Sequence, residues 1–279
     1  MKERRGKAKK ALVYVTDRVR DRSFAWRVLI YIGSLALLFG LWEIASLVIL
    51  HVKGEEYLPN PVKAILEMHR LGPILFRNFW TSAWRLVLAI LIAFFTGYPL
   101  GLLIGQERWL DQFVSPMVYI IYPIPQVAFI LLLFLVFGIG NPVKVAIVAI
   151  AIFFQLLVSA RGAAKEIDPE HVTSVLSAGA SRFQTYWHVV IPETLPSILT
   201  SLRVSVGLGM AFLYIAEISG SVSPGRGGLG AFIKASSFNT TQQAAGILAM
   251  ALLGLVLYVL IDVMERIVCR WRYTARRSS

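Results

Sequence analysis

Charged residues and cysteine are both scarce in this sequence, and each shortage excludes a class of protein. Of the 279 residues, 16% are charged, whereas soluble domains average about 25%. Hydrophobic residues make up 57%, which excludes a disordered chain, and a soluble fold could not cover its surface with so few charges. The single cysteine, Cys269, cannot form an internal disulfide, so a disulfide-rich scaffold is excluded too. The composition predicts a polytopic membrane protein.

Long apolar runs recur along the chain. A bilayer core of about 30 Å requires about 20 apolar residues in a helix. Six runs meet this requirement, at residues 28–50, 83–105, 113–137, 143–159, 196–221 and 244–264. The runs are continuous rather than alternating, which predicts helices that satisfy their own backbone in lipid. We expect an all-α protein with about six transmembrane helices at 28–265, between a basic arm, 1–27, and a basic tail, 266–279.

The basic residues are distributed unevenly between the predicted loops. The net charge of +12 would suggest a nucleic-acid partner in a soluble protein, but in a membrane protein it indicates topology. If the six runs alternate in direction, 19 Lys and Arg lie on one side and 7 on the other. The positive-inside rule then predicts that both termini are cytoplasmic. The basic arm either contacts anionic lipid or is simply solvated.

Signatures of catalysis and of nucleotide binding are missing. None of the four histidines lies within a predicted span, and there is no H-E-x-x-H and no Cys/His pair. The ATP-binding pattern G-x-x-x-x-G-K-[ST] is absent as well. Residues 225–230 fit G-x-G-x-x-G, but they follow a predicted membrane helix instead of a strand, so we interpret them as a flexible loop. The sequence predicts no catalytic residue, no metal site and no cofactor in this chain.

Glycines and prolines within the runs predict how the helices pack and bend. Gly97, Gly101 and Gly105 recur at every fourth position, which predicts a smooth face that another helix approaches closely. Pro99 in the second run and Pro123 and Pro125 in the third remove amide donors and predict a kink in each run. A hinge in a cavity wall and a kink without a gating role both fit this pattern.

Few charges lie within the predicted spans, where each costs about 2.5–3.5 kcal/mol on insertion scales. Arg203 either faces a pathway or extends to the lipid headgroups, and Glu217 either faces a pathway or lies at the interface. Glu43 and Asp262 are expected at the interface or in solvent.

Four polar residues are candidates for lining a solute pathway. Tyr122 and Gln126 are four residues apart in the third run, and Tyr214 and Glu217 are three apart in the fifth. On a helix, each pair would share a face. The prolines near the first pair expose carbonyls that only a wet or protein-covered cavity tolerates. Packing between helices is the alternative for all four.

The segment 160–195, between the fourth and fifth runs, predicts two short helices outside the membrane. Asp168 is placed to cap a helix with Pro169 at its first position, and Gly179 is placed to end it. A second amphipathic stretch follows and is expected to stop before Pro192. A protruding helix with an apolar face is typical of a docking element for a partner.

From Gly179 the segment reads Gly-Ala-Ser-Arg-Phe-Gln-Thr-Tyr-Trp-His-Val-Val-Ile-Pro. With nine residues between Gly179 and Val189, and with Ile191-Pro192 at its end, it resembles the G-x9-I-x-L-P half of the EAA loop of binding-protein-dependent ABC importer permeases. A narrower resemblance, to the taurine, alkanesulfonate and nitrate branch, covers roughly residues 35–265. It rests on Leu58-Pro59-Asn60-Pro61, Ile124-Pro125-Gln126-Val127-Ala128, Phe137-Gly138-Ile139-Gly140, Ala216-Glu217 and Gly227-Gly228-Leu229-Gly230.

Two departures from this family pattern bear on function. Thr173-Ser174-Val175 stands where the family has Glu-Ala-Ala. Tyr122 stands where the family commonly has an arginine, and the loss of a guanidinium removes a partner for an oxyanion. Contact with a solute is therefore expected to rest on hydroxyl and amide groups. The solute itself stays open among sulfonates, nitrate, bicarbonate, and vitamin-like or pyrimidine-like molecules.

The resemblance implies the transmembrane domain of a type I ABC importer in the inner membrane of a prokaryote. Its implied partners are a second permease copy, two ATPase subunits that bind ATP and Mg²⁺, and an extracytoplasmic solute-binding protein. The implied ATPase-coupling residues are Gly179, Ala180, Ser181, Arg182, Phe183, Trp187, Val189, Ile191 and Pro192. The alternative is a standalone secondary carrier or channel. Such a protein needs charged coupling groups at the midplane and often inverted repeats, which the sequence does not show.

Overall fold

The computed structural model describes residues 24–219 and 227–271. Within these residues every regular element is a helix. The elements are α1 (Phe24–Lys53), α2 (Pro61–Arg70), α3 (Gly72–Gln106), α4 (Arg108–Ile121), a 3-10 turn (Gln126–Phe129), α5 (Ile130–Phe137), α6 (Asn141–Lys165), α7 (Pro169–Ser177), α8 (Arg182–Thr185), a π turn (Tyr186–Val190), α9 (Ile191–Ser219), α10 (Leu229–Ala235) and α11 (Thr240–Val268).

The predicted spans are present, but the third is divided. Five helical segments are long and apolar enough to cross a membrane. The third run instead forms α4 and, after a break, the 3-10 turn and α5, which are bent by 83° relative to α4. The kink predicted at Pro123 and Pro125 is confirmed, and the bent pair is either one broken span or a re-entrant loop, which gives six spans or five in the described residues. α3 continues as one helix through Pro99. Pro123 and Pro125 both lack an N–H, and each disfavours helix at the residue before it, so the ladder ends at Ile121.

The chain divides into two compact units, residues 1–64 and 65–279. In the described part of the first unit, α1 is tied to the loop that follows it. The indole N–H of Trp42 donates to the carbonyl of Pro59 at 3.0 Å. The hydroxyl of Ser46 donates to the carbonyl of Leu58 at 2.7 Å. These bonds hold the Leu58-Pro59-Asn60-Pro61 segment against its own helix.

The second unit is built on close packing of α3 against α6. A Cβ atom at Gly101 would lie 2.6 Å from the Cβ of Ala160, and one at Gly105 would lie 2.7 Å from the Cβ of Ala164. At Gly97 it would lie 2.9 Å from a backbone carbonyl of α6. The predicted glycine face is therefore confirmed, because only glycine allows these two backbones to approach so closely. The matched order of the contacts shows that α3 and α6 run parallel.

The remaining long helices complete this unit in antiparallel pairs. The hydroxyl of Tyr98, in the second half of α3, lies 3.0 Å from the hydroxyl of Thr194, near the start of α9. Arg203 of α9 bonds Asp262 and Glu265, near the end of α11. We call the end of the bundle that carries residues 166–190 the docking end, and the opposite end the far end.

Candidate functional site

The first half of the docking segment forms as predicted. Asp168 caps α7, since its carboxylate accepts from the backbone N–H of Glu170 at 2.9 Å, and Pro169 occupies the first helical position. The helix ends at Ser177, and Gly179 adopts a φ of +90°. This left-handed conformation favours glycine and turns the chain sharply. Every residue of α7 is at least partly exposed.

The second half differs from the prediction. Ser181 and Gln184 form a reciprocal capping box that starts α8. The helix then continues through the π turn into α9 instead of stopping before Pro192, so residues 182–219 form one helical segment. The backbone N–H of Ile191 bonds to the carbonyl of Tyr186, five residues back. This wider turn accommodates the ring and the missing N–H of Pro192 without a break.

The predicted coupling residues divide into two groups by exposure. Those on the surface are Gly179, Ser181, Arg182, Phe183 and Trp187. Phe183 and Trp187 are 72% and 55% exposed, and their rings lie 6.1 Å apart edge to face. Ala180, Ile191 and Pro192 are half-buried, whereas Val189 belongs to the core. The surface group is available to a partner, and Val189 anchors the segment to the bundle.

Phe183 and Trp187 also border an apolar groove. The groove has a volume of about 870 Å³ and lies between α3, α9 and α11. The aromatic pair therefore links the exposed surface of the docking segment to an apolar side of the bundle.

The two predicted pathway residues of the third run do not share a helix face. Tyr122 is the C-cap residue that follows the last residue of α4, and Gln126 begins the 3-10 turn beyond the break. The prediction is wrong here because the prolines end the helix between them. The hydroxyl of Tyr122 donates to the side-chain amide oxygen of Gln155 in α6 at 3.2 Å. Gln155 was not predicted as a partner.

Tyr214 lines a cavity of about 480 Å³ between α9, α10 and α11. Its polar companion there is Gln243, near the start of α11, which the sequence did not single out. Glu217, three residues after Tyr214, does not line this cavity. Its side chain is fully buried against α3 and α10, which is the packing alternative to a pathway-lining role. The pathway role of Tyr214 stays a prediction.

Glu217 forms a buried ion pair with Arg85 of α3. The distance from Arg85 Nη1 to Glu217 Oε1 is 2.7 Å, and the two side chains are 3% and 0% exposed. The carboxylate also accepts from the hydroxyl of Ser82 at 2.8 Å and from the backbone N–H of Gly230 at 2.8 Å. Arg85 donates further to Asn141 Oδ1 at 2.6 Å. We call these residues, with 227–230, the Glu217 cluster.

The glycine-rich motif is held by this cluster. The carbonyl of Gly227 accepts from Arg85 at 2.7 Å, and the N–H of Leu229 donates to Ser82 at 2.8 Å. Gly228 has a φ of +93°, and a Cβ there would lie 2.1 Å from a carboxylate oxygen of Glu217. Residues 227–230 are therefore held in place by hydrogen bonds to Arg85, Ser82 and Glu217, and the flexible-loop interpretation is wrong for them. Gly225 lies outside the described residues.

Two further charge clusters lie towards the docking end. In the Asp111 cluster, Asp111 of α4 accepts from Arg161 Nε at 2.6 Å and Lys165 Nζ at 2.5 Å, both on α6. In the Arg203 cluster, Arg203 bonds Asp262, and Glu265 at 2.6 Å. Arg203 thus has partners within the bundle, and Asp262 is one of them. Within the described ranges, no group of three or more His, Cys, Asp or Glu forms a metal site.

Comparison with known proteins places this architecture in a family. Residues 97–271 match the model of the binding-protein-dependent transport system inner membrane component. The taurine transport system permease protein of Escherichia coli is 28% identical, over 93% of this chain and 98% of its own length. The riboflavin transport system permease protein of Chloroflexus aurantiacus is 30% identical, over 92% of this chain and 96% of its own length.

A solved structure has the same fold. The MetNI methionine ABC transporter superposes with a TM-score of 0.59 at 19% identity, covering 72% of this chain and 97% of that one. The family model covers more than half of the sequence, and the relatives match it almost end to end. The chain therefore belongs to the family of binding-protein-dependent transport system inner membrane components, and it is a multi-pass membrane permease subunit of an ABC importer.

Proposed function

We propose that two copies of this chain enclose a solute pathway at their two-fold axis and that each copy binds one ATPase subunit through the docking segment. ATP and Mg²⁺ are bound by the ATPase, and an external binding protein delivers the solute at the far end. Both termini and the docking end are cytoplasmic, in agreement with the positive-inside rule.

One observation carries this proposal. α7 lies between two spans along the chain with all of its residues at least partly exposed, and it is capped at both ends by Asp168 and by the turn at Gly179. A short, rigid and exposed helix is suited to a groove on a partner protein. The surface rings of Phe183 and Trp187 follow directly and extend the surface for contact.

The continuity of the next helix supports a mechanical role. Because residues 182–219 form one helical segment, a displacement of α8 is transmitted along α9 to Glu217 at the far end. The Asp111 cluster ties α4 to α6, so the broken third span moves with its neighbour. Closure of the ATPase pair would thus reorient α9 and the broken span around a central pathway, which alternates between inward-facing and outward-facing states.

Two copies are needed because one copy has exposed apolar faces and too few helices to surround a pathway. In α5, Leu131 and Leu135 are among the most exposed apolar side chains. Cross-linking, or the mass of the detergent-solubilised complex with its ATPase, measures the copy number. A stable complex with one permease copy and no second membrane subunit would contradict the homodimer.

The docking role is tested by Gly179→Pro and Trp187→Asp. Proline cannot adopt the φ of +90° at Gly179, and a carboxylate at position 187 disrupts an apolar contact. We expect both variants to insert into the membrane but to lose co-purification of the ATPase. Gly54→Pro is the matched control, because Gly54 also has a positive φ, +72°, and lies outside the segment. If either docking variant recruits the ATPase and transports normally, the coupling role is wrong.

A further inference from the structure

The cavity between α9, α10 and α11 has properties that bear on the solute. Its volume of about 480 Å³ lies within the range of small-molecule sites. Its walls come from three elements that meet at the far end. Its lining includes Met210, Tyr214, Ile233, Gln243, Met250 and Gly254.

The lining of the cavity is polar near the far end, which we call its mouth, and apolar farther along the helices, which we call its floor. Tyr214 lies five residues before the end of α9, and Gln243 is the fourth residue of α11, so both are near the far end. Gly254 lies eleven residues after Gln243, which is about 16 Å of helix rise. The floor between them consists of methionine, isoleucine and small side chains. A ligand would therefore make hydrogen bonds at one end and apolar contacts along its body.

The two polar groups at the mouth have spare hydrogen-bonding capacity. Among the bonds between described residues, none involves the hydroxyl of Tyr214 or the side-chain amide of Gln243. In a membrane-spanning protein, a polar group beside apolar walls is costly unless water or a ligand satisfies it. These groups offer both donors and acceptors but carry no charge.

Among the residues that the structure describes, no cation lines this cavity, and the basic groups nearest to it have other partners. Lys234, next to Ile233 on α10, donates to the carbonyl of Ile218. Arg85 bonds Glu217, and Arg203 bonds Asp262 and Glu265. Lys144 is buried beside Arg85 and Glu217 rather than on the cavity wall. An oxyanion such as a sulfonate or nitrate would lose its hydration here without gaining a counter-charge.

We propose that this cavity is the solute site of each copy and that it takes an uncharged, flat nitrogen heterocycle rather than an oxyanion. The polar edge of the ring bonds Tyr214 and Gln243, and its faces contact Met210 and Met250, whose thioethers adapt to aromatic surfaces. This inference rests on the proposed function, because it assigns the solute class of the same importer. The position of α10 also affects the shape of this site, since Ile233 of α10 forms one wall.

Equilibrium binding to the full-length permease with its ATPase, in lipid nanodiscs, tests the inference. The probes are riboflavin, thymine and cytosine for the heterocycles, with taurine and nitrate for the oxyanions. We expect at least one heterocycle to bind and neither oxyanion to displace it. If no heterocycle binds, or if taurine or nitrate displaces the bound one, the inference is wrong.

Three variants locate the binding site. Tyr214→Phe and Gln243→Leu each remove hydrogen-bonding groups, and each should weaken binding about two- to tenfold. Gly254→Leu fills the floor, where a Cβ has room at 3.6 Å from Met210, and should abolish binding. Gln242→Leu is the matched control, because Gln242 is adjacent but does not line the cavity. Unchanged affinity in all three variants would place the ligand elsewhere and overturn the assignment.

The same preparation separates this inference from the proposed function. If the ATPase co-purifies but only taurine or nitrate binds, the solute class is wrong and the importer assignment stands. If the ATPase does not co-purify, the coupling proposal fails regardless of which probe binds.

Discussion

The Glu217 cluster and the Asp111 cluster both join helices through ion pairs, but their surroundings differ. Glu217 and Arg85 are almost fully buried, and the carboxylate accepts two further hydrogen bonds, from Ser82 and Gly230. Asp111 is 19% exposed, and its partner Lys165 is 42% exposed. A buried charge must be fully paired because its hydration is lost, whereas an exposed pair is screened by salt.

This difference indicates separate roles for the two ends. At the far end, the buried pair fastens α3, α9, the start of α6 and the 227–230 loop into one unit. At the docking end, the partly exposed pairs of Asp111 hold α4 to α6, and each contributes less to the free energy of unfolding than the buried pair does. The Arg203 cluster also lies towards the docking end, and its Glu265 is only 2% exposed, so the contrast concerns α4 and its Asp111 pairs. A rigid far end and a more adjustable attachment of α4 are suited to a bundle that transmits movement from a partner.

The largest expected effect comes from Glu217→Leu. It leaves the buried Arg85 without its carboxylate, and breaking a buried pair in this way costs about 3–5 kcal/mol. Denaturant unfolding of the detergent-solubilised protein measures the loss. The double variant Arg85→Met/Glu217→Leu should recover much of it, because an apolar pair replaces an isolated charge. A loss well below 1 kcal/mol in the single variant would show that the pair does not fasten the far end.

Gly228→Ala should have the next largest effect. The added Cβ meets the Glu217 carboxylate, and the φ of +93° strains any L side chain. Gly138→Ala is the control, because Gly138 has a φ of +69° but nothing within 4 Å of its Cβ position. We expect Gly228→Ala to cost about 1–3 kcal/mol more than the control. Equal unfolding midpoints for the two variants would mean that the loop can move away from Glu217.

A smaller effect is expected from Asp111→Asn at the docking end. The change removes the charge that pairs with Arg161 and Lys165, and a partly exposed pair contributes about 1 kcal/mol. The difference from the unsubstituted protein should shrink as salt is raised, because screening weakens the pair in the reference protein. Unfolding curves at low and high salt check this. A loss as large as that of Glu217→Leu would erase the contrast between the two ends.

The smallest effect is expected from Arg182→Ala. Its guanidinium lies 3.3 Å from Glu107, but its side chain is 84% exposed. Such a pair contributes less than about 0.5 kcal/mol, so stability should hardly change. Co-purification of the ATPase is the informative measurement, since Arg182 lies on the exposed surface of the docking segment. A stability loss above 1 kcal/mol would show that this pair belongs to the structural clusters.

Local patterns in the sequence were sufficient for much of the fold. Hydropathy located the spans, and the glycine spacing in α3 predicted the face that contacts α6. Asp168 and Gly179 marked both ends of α7. These features depend on residues a few positions apart, whose geometry along a helix is known in advance.

The candidate site was predicted less well, because its contacts depend on residues far apart in the chain. Tyr214 was expected to line a solute pathway, but its companion Gln243 in the cavity and the partner of Tyr122, Gln155, were not anticipated. Arg85 lies 132 residues from Glu217, and no local pattern joins them. A charged residue within an apolar run was the one available signal, and it did not reveal which partner or which face would be chosen.

The sequence by itself determined the membrane class, the number of apolar runs, the packing face of α3 and the family, because hydropathy, spacing and motifs are properties of short segments. Only the tertiary structure decided that the helix continues through Pro192, that Glu217 faces α3, and that Tyr214 meets Gln243. A π turn can accommodate a proline, and a buried carboxylate takes whichever cation the folded chain brings within reach. Those outcomes depend on how the helices pack, which short segments do not encode.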